Sequence, residues 1–258
     1  MSAPAGPPEV RVDRVPVHDV GFADAVRTIA AWGADGSGGY VCTPNVDHVV
    51  MARRNPAFLQ ALLGARLRVP DGMGIVYGSR LAGRPLGGTV TGRRLPEAVG
   101  AALRDAGGAA GIGLLGGTPE VVARAAERLR ERGIAVDVAI GPSMGIQPDS
   151  EEDRALVERL RERPPAVLFV GFGAPKQELW MARHADDLPR TVLVGVGAAI
   201  DILGGRVSAA PAWMTRVGLE WLWRLAHEPR RLARRYLWDD PRFFGWMLAA
   251  RLRGGRST

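Results

Sequence analysis

Asp71, in RVPDGMG, ends an apolar run and precedes a glycine turn, where a carboxylate has two uses. It can cap a helix starting near Met73, or, facing a crevice, it can take a proton from a substrate hydroxyl. A second polar group, Thr43, Asn45, Asp47 and His48 in CTPNVDHVV, also follows an apolar run. Thr43 and Asn45 either hold the turn or touch substrate, and His48 is a candidate ligand contact. A third, VGFGAPKQELWM, sets the chain's only lysine, Lys176, before Gln177 and Glu178 where a strand should stop, which suggests a binding edge. LLGGTPE adds Thr118 and Pro119 at a helix start, suited to capping, to cradling a diphosphate or nucleoside on backbone N–H groups, or to both. Asp201, in VGVGAAIDILGG, completes the set of substrate contacts.

The absent patterns narrow the chemistry. The third glycine position of a dinucleotide turn is occupied by Ile200, and no Lys-Ser/Thr phosphate loop occurs, so a dehydrogenase or triphosphate reading is set aside. No two aspartates lie two positions apart, and no Cys/His grouping has zinc spacing, so neither a metal nor a cofactor is expected. A lone histidine supplies neither a metal site nor a catalytic triad, and His18, His184 and His227 read as surface or satisfied-core residues. Charge on a bound diphosphate would then be met by helix ends and arginines, with Arg84, Arg93 and Arg94 in one loop and Arg224 and Arg231 in the tail as candidates.

These groups need a scaffold that brings strand ends together. Apolar runs at VRVDRVPV, GYVCTP, RLRVP, AGIGLLG, IAVDVAI, AVLFVGF and TVLVGVG alternate with helical patterns near 21–32, 55–63, 73–82, 95–106, 119–132, 151–162, 176–185 and 198–203. That alternation predicts an α/β, Rossmann-like, mostly parallel sheet with helices on both faces. In such a sheet the turns at the carboxyl ends of the strands carry ligands. The stretch GRPLGGTVTGRR at 83–94 is glycine-rich and aperiodic, and reads as a loop or mobile flap able to close over a ligand.

Charge divides the chain in two. Between Pro211 and Thr258 there are ten arginines against four acids, leaving six of the chain's net +7 in the tail, together with five of the seven tryptophans. We therefore expect an α/β body over 1–207 and a basic, aromatic helical appendage over 208–258, broken by Pro229 and Pro241. Tryptophans on a basic helical face suit an anionic membrane surface, with packing on the body or a subunit contact as alternatives. The apolar share is too high for a simple nucleic-acid arm, and no nucleic-acid partner is expected. One cysteine, Cys42, excludes an internal disulfide framework, and neither a leader nor a spanning segment is evident, so the expected location is cytoplasmic.

The order CTPNVDHVV, VPDGMGIVYGSRLAG, LLGGTPE, VGFGAPKQELWM, VGVGAAIDILGG and SAAPAWMTRVGLEWLWRLAHEPRRLARRYL resembles the WecG/TagA/CpsF glycosyltransferases over about residues 10 to 240. GAPKQE together with the tail motif is specific; the glycine turns alone are not. The resemblance implies inverting, metal-independent transfer from a UDP-sugar, typically N-acetylmannosamine, to the 4-hydroxyl of polyprenyl-diphosphate-linked N-acetylglucosamine. It also implies Asp71 as general base and Thr43 and Gln177 as site residues. The appendage would target the inner face of the cell membrane, complete the active site and tie activity to a balance between monomer and homo-oligomer.

One departure stands out. Relatives usually carry an arginine, thought to stabilise the departing diphosphate, where this chain has Thr89, and a Ser/Asp pair where it has Arg93 and Arg94. Threonine cannot replace a five-donor fork. Either Arg84, Arg93 or Arg94 supplies the charge from the loop, or the donor or the acceptor differs, a soluble acceptor included, or catalysis has been lost and a binding protein remains.

Overall fold

Six strands, all parallel, form one sheet in the order β4-β3-β8-β7-β5-β6 in a computed structural model that describes residues 7–107, 111–142, 146–208, 214, 222, 223, 225 and 240–254. The strands are β3 (Gly39–Cys42), β4 (Leu67–Arg68), β5 (Ile112–Gly116), β6 (Val136–Ile140), β7 (Val167–Gly171) and β8 (Val192–Gly195). The central strands are apolar at every position because both sheet faces are covered. Alternation divides them between two layers. Leu168, Val170 and Leu193 pack on one side with Phe58, Trp180 and Met181; Val167, Phe169, Val192 and Val194 pack on the other with Ile29, Val99 and Leu129. The parallel α/β architecture expected from the sequence is the one observed.

The covering helices are α1 (Phe22–Asp35), α2 (Val46–Ala52), α3 (Pro56–Leu63), α4 (Met73–Leu81), α5 (Leu95–Asp105), α6 (Pro119–Glu131), α7 (Glu151–Glu162), α8 (Lys176–His184) and α9 (Ala199–Leu203). A later helix, α10 (Asp240–Gly254), lies within the expected appendage. Most agree with the sequence pattern to within a few residues.

Two local readings are corrected. VRVDRVPV is not one strand but an antiparallel hairpin, β1 (Glu9–Val12) and β2 (Val15–His18), separate from the main sheet. Asp13 has φ 58°, a left-handed turn residue that reverses the chain, and Val12 pairs with Val15. The second correction is α2, which was not expected. Its signal was present: Asn45 is the N-cap and His48, three residues on, closes a reciprocal capping box in place of the usual Glu or Gln.

The loop at 83–94 is anchored rather than detached. Leu86 and Val90 are buried, Leu86 N–H donates to Ser79 Oγ at 3.0 Å, Gly87 N–H to Asp19 Oδ1 at 2.8 Å, and Val90 N–H to Pro70 O at 2.7 Å. A short 3-10 turn at Gly92–Arg94 leads from it into α5. His18 and His184 are satisfied core histidines, as expected. His18 Nδ1 accepts from Arg68 N–H, and His184 lies between Asp153 and Asp187.

α10 is fastened to the body. Phe243 and Met247 are fully buried in the layer that contains Val46 and Ile75. Gly78 permits this contact: a Cβ there would lie 2.3 Å from Phe243 Cζ. Gly78→Ala is therefore expected to displace α10 and to cost about 1–3 kcal/mol, the usual range for overpacking. Urea unfolding measures the loss, and faster proteolysis near residue 240 should accompany it; unchanged stability and cleavage would show that the contact is not needed.

Candidate active site

Because all six strands run the same way, their carboxyl ends share one edge. Along it, the strand order aligns Asp71 after β4, Thr43 after β3, the 195–197 turn after β8, the 171–175 turn after β7 and the 116–118 turn after β5. The chain leaves β5 toward β6 and leaves β7 toward β8, so a topological switch point lies between β5 and β7, the place where such sheets open a ligand crevice.

At the β4 end, Asp71 does not cap α4. Gly72 is the N-cap, with φ 81°, and as a glycine it has no side chain to bond the helix end. Asp71 is instead fixed from both sides: its N–H donates to Pro44 O at 3.0 Å, and its Oδ1 accepts from Gly92 N–H at 3.3 Å. A Cβ on Gly92 would lie 3.6 Å from Thr43 Cγ2, so the anchored loop meets the β3 end beside Asp71. Thr43 is buried and its hydroxyl donates to Gly195 O at 3.0 Å, joining the ends of β3 and β8.

Behind this edge runs a buried polar network. Gln177 Oε1 accepts from Gly173 N–H at 3.2 Å and from Gly197 N–H at 3.0 Å, so one amide oxygen holds the turns after β7 and β8. Its Nε2 donates to Glu178 Oε1 at 2.8 Å, and the same oxygen lies 3.1 Å from His48 Nε2. His48 Nδ1 in turn lies 2.9 Å from Asn45 Oδ1 at the start of α2. Glu178 is fully buried, and its Oε2 has no hydrogen-bond partner among the described residues. Gly195 makes room for this network: a Cβ there would lie 2.8 Å from Gln177 Nε2. Cys42, buried near Glu178, has its thiol pKa pushed up by burial first and by that carboxylate second, which keeps it a neutral core residue.

At the switch point, Gly116 has φ 143°, and a Cβ on it would lie 2.8 Å from Gly171 O, so the two turns touch backbone to backbone. Thr118 is the N-cap of α6, accepting from Val121 N–H at 3.4 Å, and its hydroxyl donates to Glu120 at 2.7 Å. That bond holds the Glu120 carboxyl below its usual range. The threonine is thus spent on the helix start. Asp201 Oδ1 lies 3.4 Å from the position of a Cβ on Gly117, which brings this aspartate to the same turn, and 3.5 Å from Arg206 Nη1.

The structure therefore gathers Thr43, Asn45, His48, Asp71, Gln177 and Glu178 at one end of the edge and Thr118 and Asp201 at the other. Thr43, His48, Gln177 and Glu178 are buried and bonded to one another or to turn backbone, so they tie the strand-end turns together from behind the edge. Lys176, exposed at the first position of α8, reaches solvent.

The loop arginines take different places. Arg93 is half-buried, directly after the Gly92 that bonds Asp71. Arg94 stacks on Phe22, 4.5 Å from the ring centroid, facing α1. Arg84 is not brought to this cluster: it follows the far end of α4 and lines a separate groove with Arg11 and Arg251. Arg224 and Arg231 lie outside the described residues, as does most of the aromatic segment 209–239; within it, Trp223 Nε1 donates to Ser208 O at 3.3 Å. Among the described residues, no three His, Cys, Asp or Glu side chains assemble as a metal site would require. No helix among them is long and apolar enough to cross a membrane.

Sequence reasoning missed the glycine backbone partners of Gln177 and the role of Gly92. The side chains were visible in the sequence; which backbone groups they hold depends on strand order.

Known proteins resemble this chain along most of its length. The model described as glycosyl transferase WecG/TagA/CpsF family matches residues 10–257. An N-acetylglucosaminyldiphosphoundecaprenol N-acetyl-beta-D-mannosaminyltransferase of Bacillus spizizenii is 28% identical over 227 residues, covering 85% of each chain. A protein of the same name from Staphylococcus aureus strain MW2 is 30% identical over 196 residues, covering 76% of this chain and 74% of its own.

Proposed function

This chain belongs to the WecG/TagA/CpsF family of glycosyl transferases, a sugar-transferring enzyme, and from that premise we propose its reaction: transfer of N-acetylmannosamine from a UDP-sugar to the 4-hydroxyl of N-acetylglucosamine held on a polyprenyl diphosphate. The observation that carries the reading is the placement of Asp71 at the β4 end of an edge whose other end is a glycine-lined switch point. One end offers a base and the other a cradle for the nucleoside diphosphate.

In the proposed step the acceptor hydroxyl lies against the Asp71 carboxylate. Its oxygen bonds to the anomeric carbon as the bond from that carbon to the diphosphate breaks on the opposite face. The proton passes to Asp71 and UDP leaves with the bonding electrons. A single displacement inverts the anomeric centre and needs no covalent enzyme intermediate. Backbone N–H groups of the 116–118 and 171–175 turns, the start of α8 with Lys176, and Arg93 beside Gly92 face the developing diphosphate charge, without a metal ion in the scheme. Arg93 in this role would offset Thr89, the residue at the usual arginine position. Gln177, Glu178 and His48 hold the turns; Asp201 orients the donor at the β5 turn. The reaction takes place at the inner face of the membrane, where the lipid-linked acceptor lies.

The test is product analysis by mass spectrometry with a panel of UDP-sugars and a short-chain polyprenyl-diphosphate N-acetylglucosamine. A disaccharide-lipid formed with UDP-N-acetylmannosamine is the expected product. Consumption of a UDP-sugar only with a soluble acceptor, or with no other sugar than a different one, would replace the proposed substrates.

A further inference from the structure

A second site lies away from the catalytic edge. The β1–β2 hairpin, the end of α4 and α10 enclose an open groove of about 420 Å³ whose walls include Arg11, Arg84 and Arg251. Its one acid, Asp13, is already engaged: Arg53 Nη2 donates to Asp13 Oδ1 at 2.7 Å and Nε to Oδ2 at 2.8 Å. Arg53 in turn stacks on Trp246 of α10, 3.8 Å from the ring centroid, which fixes the hairpin turn against that helix. No acid partner occurs for Arg11, Arg84 or Arg251 among the described residues. Three guanidinium groups from three separate elements thus converge on one groove without neutralisation.

We propose that this groove binds the phosphate of an anionic phospholipid headgroup and so fixes the orientation of the enzyme on the membrane. Guanidinium forks match phosphate oxygens in geometry as well as charge. Exposed leucines on the same elements favour a lipid over a soluble anion or a nucleic acid: Leu248 and Leu252, on the helix that carries Arg251, are 50% and 66% exposed, and Leu81, at the end of α4 just before Arg84, is 38% exposed. Such leucines add apolar area at headgroup depth, where an arginine cluster alone would bind any polyanion. The groove is also distinct from the acceptor's own diphosphate position. α4 has Asp71 before its first turn and Arg84 beyond its last, a separation of roughly 13 Å along nine residues at about 1.5 Å each, longer than one pyranose ring. The inference rests on the reading that the acceptor is lipid-linked.

The experiment measures attachment of the full chain to phosphatidylcholine vesicles with and without phosphatidylglycerol. It compares wild type with the Arg11→Gln/Arg84→Gln/Arg251→Gln triple variant and with a control that removes three exposed arginines elsewhere, Arg124→Gln/Arg159→Gln/Arg190→Gln. Each arginine near an anionic surface is worth roughly fivefold in binding, so the groove triple should lose on the order of a hundredfold on phosphatidylglycerol vesicles and the control far less. Turnover of a short-chain acceptor without vesicles should be unchanged in the groove triple, and its thermal midpoint should match wild type. Equal attachment losses in both triples, or no loss in the groove triple, would overturn the proposal. Loss of vesicle-free turnover in the groove triple would also overturn it, reassigning the groove to the acceptor diphosphate. Failure of wild type to turn over any lipid-linked acceptor would count against the reaction instead, while the vesicle result would still decide the groove.

Discussion

Asp71→Ala is expected to lower turnover by about a hundredfold or more while leaving donor affinity close to wild type, because a positioned base contributes on that scale. The geometry explains why the fold should survive. The Asp71 side chain caps no helix, since Gly72 is the N-cap of α4, and the N–H that positions residue 71 on Pro44 O is a backbone group that alanine retains. Among the contacts that alanine loses with the carboxylate is its bond from Gly92 N–H. Asp71→Asn separates these two effects. The amide can still accept from Gly92 but cannot take a proton, so it should be as inactive as alanine while binding UDP normally. Turnover within a fewfold of wild type in the asparagine variant would remove the base assignment. Weakened UDP binding in both variants would instead make Asp71 a donor contact.

The same residue shows how far the sequence could be read. RVPDGMG placed a carboxylate between a strand and a helix but left capping and catalysis both open. Only the backbone could decide, because the cap residue is set by φ and ψ at Gly72 and not by residue type. The parallel sheet was legible for a simpler reason: strands covered on both faces must be continuously apolar, as VLFVG and VLVG are. The hairpin was not, because Val-x-Val alternation is the same in one long strand and in two short ones, and the reversal depends on one left-handed residue, Asp13. Likewise α2 begins in a capping box whose N3 residue, His48, is not among those that usually mark one.

In the site, residue types were legible and directions were not. Gln177 and Glu178 were recognised as important, yet nothing in KQE says that both side chains turn inward while Lys176 faces out. That follows from the start of α8 beside the Thr43–Gly195 link and from the absence of a side chain at Gly195. Arg84 and Arg93 illustrate the same limit. They lie nine positions apart in one loop, but the anchors at Leu86, Gly87 and Val90 leave Arg84 beside the hairpin and Arg93 next to the Gly92 that bonds Asp71.

Gln177→Leu is expected to raise the donor KM tenfold or more and to destabilise the protein by about 2–4 kcal/mol. Leucine removes the side-chain acceptor that Gly173 N–H and Gly197 N–H have among the described residues and the buried bond to Glu178, and an orphaned buried polar group costs about 1–3 kcal/mol. Both turns face the crevice, so their relaxation should appear in donor binding before it appears in the chemical step. Gln177→Glu distinguishes this positioning role from simple packing. The new carboxyl would sit where Nε2 now donates to Glu178 Oε1 at 2.8 Å, so two carboxylates would share one buried position. Like charges so close cannot both ionise, and one of them must retain a proton well above the usual carboxylate range. While that proton is held, it can donate to Glu178 and the other oxygen can accept from both glycines, reproducing the native pattern. As pH rises and the proton is lost, the two charges repel and the turns loosen. The variant should therefore bind donor nearly normally at acid pH and progressively more weakly as pH increases, while wild type shows no such trend. A donor KM in Gln177→Glu that does not vary with pH relative to wild type, or an unchanged KM in Gln177→Leu, would show that the amide does not hold the turns for the substrate.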